Sequence, residues 1–210
     1  MVKHLWWMSA AFVSASAWAQ ADGANRPVAK VGDVAVYSVE LRADKRTTEE
    51  TVTITSVDQT HIKSKHVRPD RQPPEIEGVR TLDWATVVSG SNGTRYDPPI
   101  VSVKFPLAVG DAWKSSFLAE GSTFKSKSDV DYKVVSMEKV KTQAGEFDAF
   151  KIESKGWING VSWSGSVRTE GVSWYAPSLG RFVRSEYRDF RNGRPWNDTV
   201  TELKSFTPAP

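Results

Sequence analysis

Two histidines and two carboxylate pairs are the side chains after position 19 whose chemistry suits acid–base catalysis or metal binding. His61 and His66 lie an odd number of positions apart in one predicted strand, so they should face opposite sides and not share a metal ion. We interpret both as surface histidines. The sequence has no G-x-S-x-G elbow, H-E-x-x-H motif or phosphate-binding loop. We therefore expect no catalytic residue, no metal site and no cofactor, although composition alone leaves a Ser-His-Asp triad open.

The carboxylate pairs are Asp129 with Asp131 and Glu75 with Glu77. The first pair shares one face of a predicted strand, where like charges could raise the pKa of one carboxyl group for acid–base work. Three lysines surround it, at positions 125, 127 and 133. The pair is therefore better explained as part of a solvated outer face.

A run of arginines near the carboxyl end forms the densest basic patch, with members Arg181, Arg184, Arg188, Arg191 and Arg194. Such a patch could bind anionic lipid head groups or a cell-wall polymer. The predicted hairpin in this region places two of the arginines beside Glu186, which favours an ordinary charged outer face.

Aromatic residues give the strongest indication of a binding site. Six of the nine tryptophans lie after position 19. Tryptophan fills protein cores, but it also lines apolar or carbohydrate-binding cavities, since its ring is large and its N–H requires a partner. If a cavity is present, we expect it to be lined by Trp113, Tyr132, Phe150, Trp163 and Trp174.

The first nineteen residues have the layout of a secretory signal peptide. Lys3 supplies the positive charge, Leu5–Val13 is a short apolar stretch, and Ala17-Trp18-Ala19 is a small-x-small cleavage site. The apolar stretch is too short for a membrane span, which requires about 20 residues. We predict cleavage after Ala19 and a periplasmic location.

Cysteine is absent, so no disulfide, thiolate metal site or lipid-anchoring cysteine is expected, which suits a bacterial periplasm. The net charge is +3, and this near balance argues against a nucleic-acid partner. No further segment is long and apolar enough to span a membrane.

Apolar residues alternate with polar ones between frequent turn signals, as in Val130, Tyr132 and Val134. This predicts a mainly β domain over residues 20–206: a single curved antiparallel sheet or half-barrel of about ten strands, with few or no helices. Residues 207–210 should be disordered. Identities at an offset of 78, including Val31-Gly32-Asp33 and Val109-Gly110-Asp111, indicate a two-fold internal repeat of about 27–67 and 105–145 as one alternative.

Asn-Gly pairs at 92–93, 159–160 and 192–193 predict hairpin turns, and Ala144-Gly145 predicts a fourth. A two-residue turn at 192–193 would pair Tyr187 with Asp198 and Asp189 with Trp196. One face would then carry an apolar cluster of Val183, Tyr187, Trp196 and Val200. The proline-rich segment from Arg68 to Gly78 should form an exposed loop.

Several motifs together resemble the TapB-like group of exported bacterial proteins, which are largely domains of unknown function. The motifs are Phe105-Pro106-Leu107-x-x-Gly110-Asp111-x-Trp113, Tyr132-Lys133-Val134-Val135, Thr142-x-Ala144-Gly145-x-Phe147-x-x-Phe150-Lys151-Ile152, Trp174-Tyr175-Ala176-Pro177-x-x-Gly180-x-Phe182-Val183 and Leu203-x-Ser205-Phe206. The resemblance covers about residues 100–206. It implies a curved antiparallel sheet, similar in kind to periplasmic lipoprotein carriers whose concave face holds acyl chains, and it implies no catalytic residues.

We therefore expect a non-enzymatic periplasmic binding or accessory protein that holds an apolar or amphipathic ligand, such as a lipid, against an aromatic concave face. The alternative is a structural module of the cell envelope, in which an edge strand or the Arg68–Gly78 loop docks a protein partner. An envelope hydrolase is a third reading, supported only by generic Ser, His and Asp residues.

Overall fold

The computed structural model describes residues 23–210, and the signal-peptide prediction for residues 1–19 lies outside them. Within the described residues the chain forms twelve strands: β1 (Val34–Leu41), β2 (Arg46–Val57), β3 (His61–Val67), β4 (Glu75–Thr81), β5 (Thr86–Val88), β6 (Arg95–Ile100), β7 (Ala112–Glu120), β8 (Lys125–Thr142), β9 (Gly145–Gly160), β10 (Ser166–Ala176), β11 (Arg181–Arg191) and β12 (Arg194–Thr207). A single 3₁₀ turn, Arg42–Asp44, joins β1 to β2. No helix capable of spanning a bilayer occurs in residues 23–210.

The strands form one closed antiparallel barrel in which each strand pairs with its neighbours in sequence and β1 pairs with β12. The predictions of a mainly β, antiparallel chain almost without helices are confirmed. The predicted half-barrel of about ten strands is wrong, because the sheet has twelve strands and closes. Closure gives the terminal strands β1 and β12 a partner on both sides, so their backbone groups are not left as unpaired sheet edges.

The turn at 192–193 forms as predicted, with positive φ angles at Asn192 (50°) and Gly193 (74°). The predicted register is wrong by one residue beyond the turn. A β-bulge follows Asp189, so that Asp189 opposes Asn197 and Tyr187 opposes Thr199. The extra residue of the bulge is Trp196, which is left 58% exposed.

The bulge also breaks up the apolar cluster predicted for this hairpin. Val200 now opposes Glu186 and not Ser185, so it lies on the opposite face of the sheet from Tyr187. Val183 is fully buried, but it packs in a cluster with Leu203 and Ala176. The four residues therefore do not form one cluster.

The other predicted turns have mixed outcomes. Thr142 pairs with Gly145, and the loop between β5 and β6 contains Asn92-Gly93, as expected. The turn predicted at 159–160 is wrong, because β9 continues through both residues. The reversal lies at 161–165, where the Gly160 amide donates to the Gly165 carbonyl at 3.0 Å.

The predicted loop from Arg68 to Gly78 is shorter than expected. β4 begins at Glu75 and pairs with β3, so only residues 68–74 form the connection. At the carboxyl end, Thr207 is the last residue of β12, and the Ala209 amide donates to an Asp33 carboxylate oxygen at 2.9 Å.

The two Gly-Asp pairs of the suspected repeat form the same turn before β1 and before β7. The φ angles are 96° at Gly32 and 97° at Gly110. In each turn the aspartate accepts a backbone N–H from three residues earlier, at 3.3 Å for Asp33 and 2.8 Å for Asp111. The internal repeat itself stays a prediction.

Two hydrophobic clusters lie on opposite faces of β9 and β10. One contains Phe150 and Tyr175, and the other contains their sequence neighbours Ala149 and Ala176. The tip of the β8–β9 hairpin lies against β12, where the Ala144 amide donates to the Leu203 carbonyl at 3.2 Å. The long hairpin thus adds a second packed layer to this side of the barrel.

Candidate ligand cavity

A cavity of about 840 Å³ occupies one end of the barrel. The inward-facing residues of β8 line it at every second position: Ser126, Ser128, Val130 and Tyr132. Residues of β9 to β12 that share the same face complete the wall, among them Ser154, Ile158, Val167, Thr169, Tyr187, Asp189 and Asn197. Alternation along paired strands therefore builds the cavity.

Two glycines within the strands lie on the inner face of this wall, opposite residues that line the cavity. Gly156 opposes Val130 on β8 and Thr169 on β10, while Gly171 opposes Tyr187 on β11. A Cβ atom at Gly156 would lie 2.1 Å from the Asp129 carbonyl oxygen. The strands approach each other at this point more closely than any larger residue allows.

The cavity combines aromatic rings with hydrogen-bonding groups. Its aromatic members are Tyr96, Phe117, Phe124, Tyr132, Trp163 and Tyr187. The Asp189 carboxylate accepts the backbone N–H of Asn197 at 3.0 Å and its side-chain amide at 2.6 Å. The Ser126 hydroxyl is buried at the wall without a hydrogen-bond partner among residues 23–210. Such a surface suits a molecule with both apolar and hydrogen-bonding parts.

Burial raises the pKa of two tyrosine hydroxyls at this cavity, those of Tyr132 and Tyr187. Both therefore remain protonated at neutral pH and can donate a hydrogen bond. The cavity offers neutral donors and acceptors, together with the Asp189 carboxylate already held by Asn197 and the guanidinium of Arg191.

Two of the five predicted lining residues, Tyr132 and Trp163, line the cavity. A third, Trp113, is the β7 residue paired with Tyr132 on β8, and the two rings are stacked at a centroid distance of 5.4 Å and an interplanar angle of 7°. The Trp113 indole N–H donates to the Val101 carbonyl at 2.7 Å. Trp113 thus packs beside Tyr132 and is not itself a lining residue of the cavity.

The structure does not bring Phe150 and Trp174 to the large cavity. Phe150 is 1% exposed and fills the hydrophobic cluster with Tyr175. Trp174 precedes Tyr175 in β10 and so lies on the other face of the sheet. Its indole N–H donates to the Glu138 carboxylate at 2.7 Å.

Four aromatic residues of the cavity were missed by the sequence reasoning: Tyr96, Phe117, Phe124 and Tyr187. Phe117 could have been found, because pairing of β7 with β8 places it opposite Ser128, two residues from the recognised Val130. The Tyr96 and Phe117 rings meet edge to face at 5.4 Å. Tyr187 was recognised as inward-facing but assigned to the wrong cluster.

His66 is not a surface histidine, because it is 8% exposed on the inner face of β3. Its Nδ1 lies 3.0 Å from a Glu50 carboxylate oxygen, and its Nε2 lies 3.0 Å from the Ser64 hydroxyl. Gly78 and Gly90 press against the ring, where a Cβ atom at Gly90 would lie 2.1 Å from it. Ser64 is only 2% exposed, and with His66 and Glu50 it lines a small cavity of about 230 Å³. The opposite orientation of His61 agrees with the sequence analysis.

Most of the charged groups noted in the sequence are paired side chains at the surface, but Arg181 is nearly buried and, with Arg184, lines a smaller cavity of the barrel, while Arg191 lines the large cavity. Asp131 lies 3.6 Å from Lys114, and the Asp129 carboxylate accepts the Ser116 hydroxyl at 2.6 Å. Arg184 pairs with Glu186 at 2.8 Å. These contacts agree with the interpretation of solvated, charge-balanced strands.

Comparisons with known proteins agree with this architecture. The DUF3108-like family profile matches residues 111–194. A candidate lipoprotein from Parabacteroides distasonis shares 14% identity, with 89% of this chain and 100% of that chain covered and a TM-score of 0.56. A candidate exported protein with a YmcC-like fold from Bacteroides fragilis shares 14% identity over the same fractions, with a TM-score of 0.50.

A search of curated proteins found no match. At 14% identity the two structures show a shared fold and nothing about a shared ligand. The narrower resemblance to the TapB-like group stays a prediction. The chain thus has the fold of these two bacterial proteins, with a DUF3108-like region over residues 111–194.

Proposed function

We propose that this chain is an exported, periplasmic, non-enzymatic binding protein that holds an amphipathic ligand in the large cavity. The observation that carries the proposal is the cavity of about 840 Å³, lined by aromatic rings and by hydroxyl and amide groups. A volume of this size lies within the usual range of small-molecule sites, about 300–1,000 Å³. The aromatic rings would cover apolar parts of the ligand, while groups such as the Ser126 hydroxyl would take its polar parts.

The exported location is supported by the signal-peptide pattern of residues 1–19 and by the two structural relatives, one described as a candidate lipoprotein and the other as a candidate exported protein. The non-enzymatic role is supported by the low exposure of Ser64, 2%, which leaves the hydrogen-bond chain of Ser64, His66 and Glu50 little access from solvent. The alternative in which a protein partner pairs with an edge strand is not favoured, because the β1–β12 pairing closes the barrel and leaves neither of these strands as an edge.

The first experiment is native mass spectrometry of the mature protein, purified gently from its own envelope fraction. We expect a reproducible additional mass that disappears after delipidation. The delipidated protein should then bind N-phenyl-1-naphthylamine, a neutral fluorescent amphipath, in a saturable manner. An envelope lipid extract should displace the probe.

Trp163→Ala should weaken binding of the probe about fivefold, because it removes an aromatic wall of the cavity. Trp157→Ala is the matched control, since Trp157 is an exposed tryptophan on the outward-facing side of the neighbouring strand β9. The control should retain wild-type affinity. A wild-type protein that carries no additional mass and binds no probe would overturn the proposal, as would equal losses in the two variants.

A further inference from the structure

A second, smaller cavity of about 200 Å³ lies inside the barrel against β1 to β4. Much of its wall is apolar, with contributions from Val52, Ile54, Trp84, Val103 and Phe182. The register of the strands also directs polar and charged side chains toward this cavity. Tyr37 on β1 opposes Glu50 on β2, and both line the cavity. Arg80 reaches the same space from β4.

Arg80 is the arginine of this cavity that lacks a carboxylate within 4.0 Å in the part of the chain that the structure describes. The other two arginines that line it are paired: Arg181 lies 3.9 Å from Asp33, and Arg184 lies 2.8 Å from Glu186. Glu50 is contacted by His66 at 3.0 Å and by Arg71 at 3.7 Å.

Burial lowers the pKa of the Arg80 guanidinium, yet arginine stays protonated at any physiological pH. A guanidinium removed from water without a counter-ion destabilises the folded protein, because its charge is poorly solvated. On the cavity wall the Arg80 guanidinium carbon lies 5.8 Å from the centre of the Trp84 ring, a cation–π contact, but no carboxylate among residues 23–210 lies within 4.0 Å to neutralise its charge.

An independent observation on the opposite wall also points to a ligand. Tyr175 is 2% exposed and lines the same cavity, and its hydroxyl has no hydrogen-bond partner among residues 23–210. Burial raises the pKa of this hydroxyl, so it remains a donor. Buried hydroxyl groups in folded proteins are nearly always hydrogen-bonded, so the Tyr175 hydroxyl is a candidate donor to an acceptor atom in the cavity.

We infer that the small cavity binds the oxyanion head group of a monoanionic amphipath, with the Arg80 guanidinium as its counter-ion and the Tyr175 hydroxyl as an additional donor. One unpaired positive charge matches one negative charge. A carboxylate fits this requirement better than a phosphate monoester, which carries about −1.5 to −2 charges at neutral pH. The apolar walls would enclose the first carbons of the attached chain.

The remainder of such a ligand would extend toward the large cavity, which is adjacent to an intermediate one. A third cavity of about 230 Å³ shares Glu50, His66 and Arg80 with the small cavity. It also shares Ser91 with the large cavity. The three cavities are therefore neighbours. The position of the ligand's apolar chain in the large cavity is the part of this inference that rests on the proposed function.

The test compares decanoate, decyl phosphate and decanol on the delipidated mature protein by isothermal titration calorimetry. Wild type should bind decanoate about tenfold or more tightly than decanol, and more tightly than decyl phosphate. Arg80→Met should abolish the preference for decanoate over decanol, while N-phenyl-1-naphthylamine still binds in the large cavity. Tyr175→Phe should weaken decanoate binding about three- to tenfold.

Two further measurements separate a ligand-binding role of Arg80 from a structural one. Arg80→Met should unfold at the same or a higher urea concentration than wild type, because it removes a half-buried charge that has no carboxylate partner within 4.0 Å among residues 23–210. Arg42→Gln, a change at an exposed arginine outside all of these cavities, should leave the preference for decanoate intact. A strongly destabilised Arg80→Met protein, or an undiminished preference in this variant, would overturn the inference.

Butyrate distinguishes failure of this inference from failure of the proposed function, because it is too short to extend from the small cavity into the large one. If butyrate raises the melting temperature of wild type but not of Arg80→Met, the oxyanion site is supported even where the neutral probe does not bind. If the neutral probe binds while neither butyrate nor decanoate shows dependence on Arg80, the oxyanion site is wrong and the large-cavity proposal stands.

Discussion

Hydrogen bonds from neighbouring backbone groups decide the chemistry of single side chains in this barrel. Asp58 shows this in the turn between β2 and β3, where one carboxylate oxygen accepts the amides of Thr60 at 2.7 Å and His61 at 2.8 Å. Backbone hydrogen bonds, chiefly that from Thr60, hold the pKa of Asp58 at about 2, against an ordinary value of 3.8. Packing has a comparable effect at His66, because the Gly90 backbone lies so close to its ring that no side chain fits between them.

Replacing Asp58 by alanine should lower the stability of the protein at neutral pH. A carboxyl group whose pKa is depressed in the folded state stabilises that state above the unfolded pKa, and the contribution disappears as pH falls from 3.8 toward 2. The difference in urea midpoint between wild type and Asp58→Ala should therefore shrink over this range. Asp44→Ala, at an exposed position of the turn after β1, should show no such trend. A constant difference at Asp58 would contradict the assignment.

Gly90→Ala should destabilise the fold by about 1–3 kcal/mol, because the new methyl group would overlap the His66 ring. The effect should depend on the ring. In the background of His66→Ala, the same change at Gly90 should cost little, and the double-mutant cycle should show strong coupling. Urea denaturation of the four proteins measures this. Additive effects would show that Gly90 is required for a different reason.

At the scale of elements, the β8–β9 hairpin positions the cavity. Its eighteen- and sixteen-residue strands carry cavity residues at one end and the packed tip at the other. A register shift between Val134 and Ser136 separates the two parts. On its inner face, Gly156 allows the strands to approach closely opposite Val130.

Gly156→Ala should destabilise the protein by about 3 kcal/mol, at the upper end of typical overpacking effects. The new Cβ atom would meet backbone atoms, the Asp129 carbonyl oxygen at 2.1 Å and the Val130 Cα at 2.8 Å, and backbone cannot rotate away. Lys155→Ala, one position earlier on the exposed face, should change stability by less than about 0.5 kcal/mol. Thermal and urea unfolding compare the two. Equal effects would show that the close approach at Gly156 has no energetic importance.

On the scale of the whole molecule, the barrel is closed but unevenly paired. Sixteen residue pairs join β8 to β9, whereas three join β6 to β7 and two join β5 to β6. Eight pairs join β1 to β12, so closure itself is well supported. The short strands β5 and β6 form the weakest part of the wall, beside the large cavity.

Amide hydrogen exchange should reflect this difference. Amides of β5 and β6 should exchange through local opening, with protection free energies at least about 2 kcal/mol below those of β9 and β10. Amides of β1 that bond to β12 should be protected nearly as well as those of β9. Fast exchange along both β1 and β12 would instead indicate an open half-barrel and contradict the closed topology.

Local patterns account for much of what could be predicted. Alternation in β7 to β9, positive-φ turns such as Asn192-Gly193 and the hairpin at Ala144-Gly145 depend on residues close in sequence. The candidate site was only partly predictable. The aromatic content of the sequence identified Tyr132 and Trp163 as cavity residues. The same reasoning also selected Trp174, which lies on the outer face of the sheet and donates to Glu138.

The sequence by itself determined the mainly β class and most turn positions, because strand periodicity and turn preferences are properties of adjacent residues. The tertiary structure alone decided which face of each strand lies inside, how the bulge after Asp189 shifts its partners, and that β12 returns to β1. Closure depends on twist and stagger accumulated over all twelve strands. The cavities exist only because of that closure, and the enclosure of His66, Arg80 and Tyr175 follows from it.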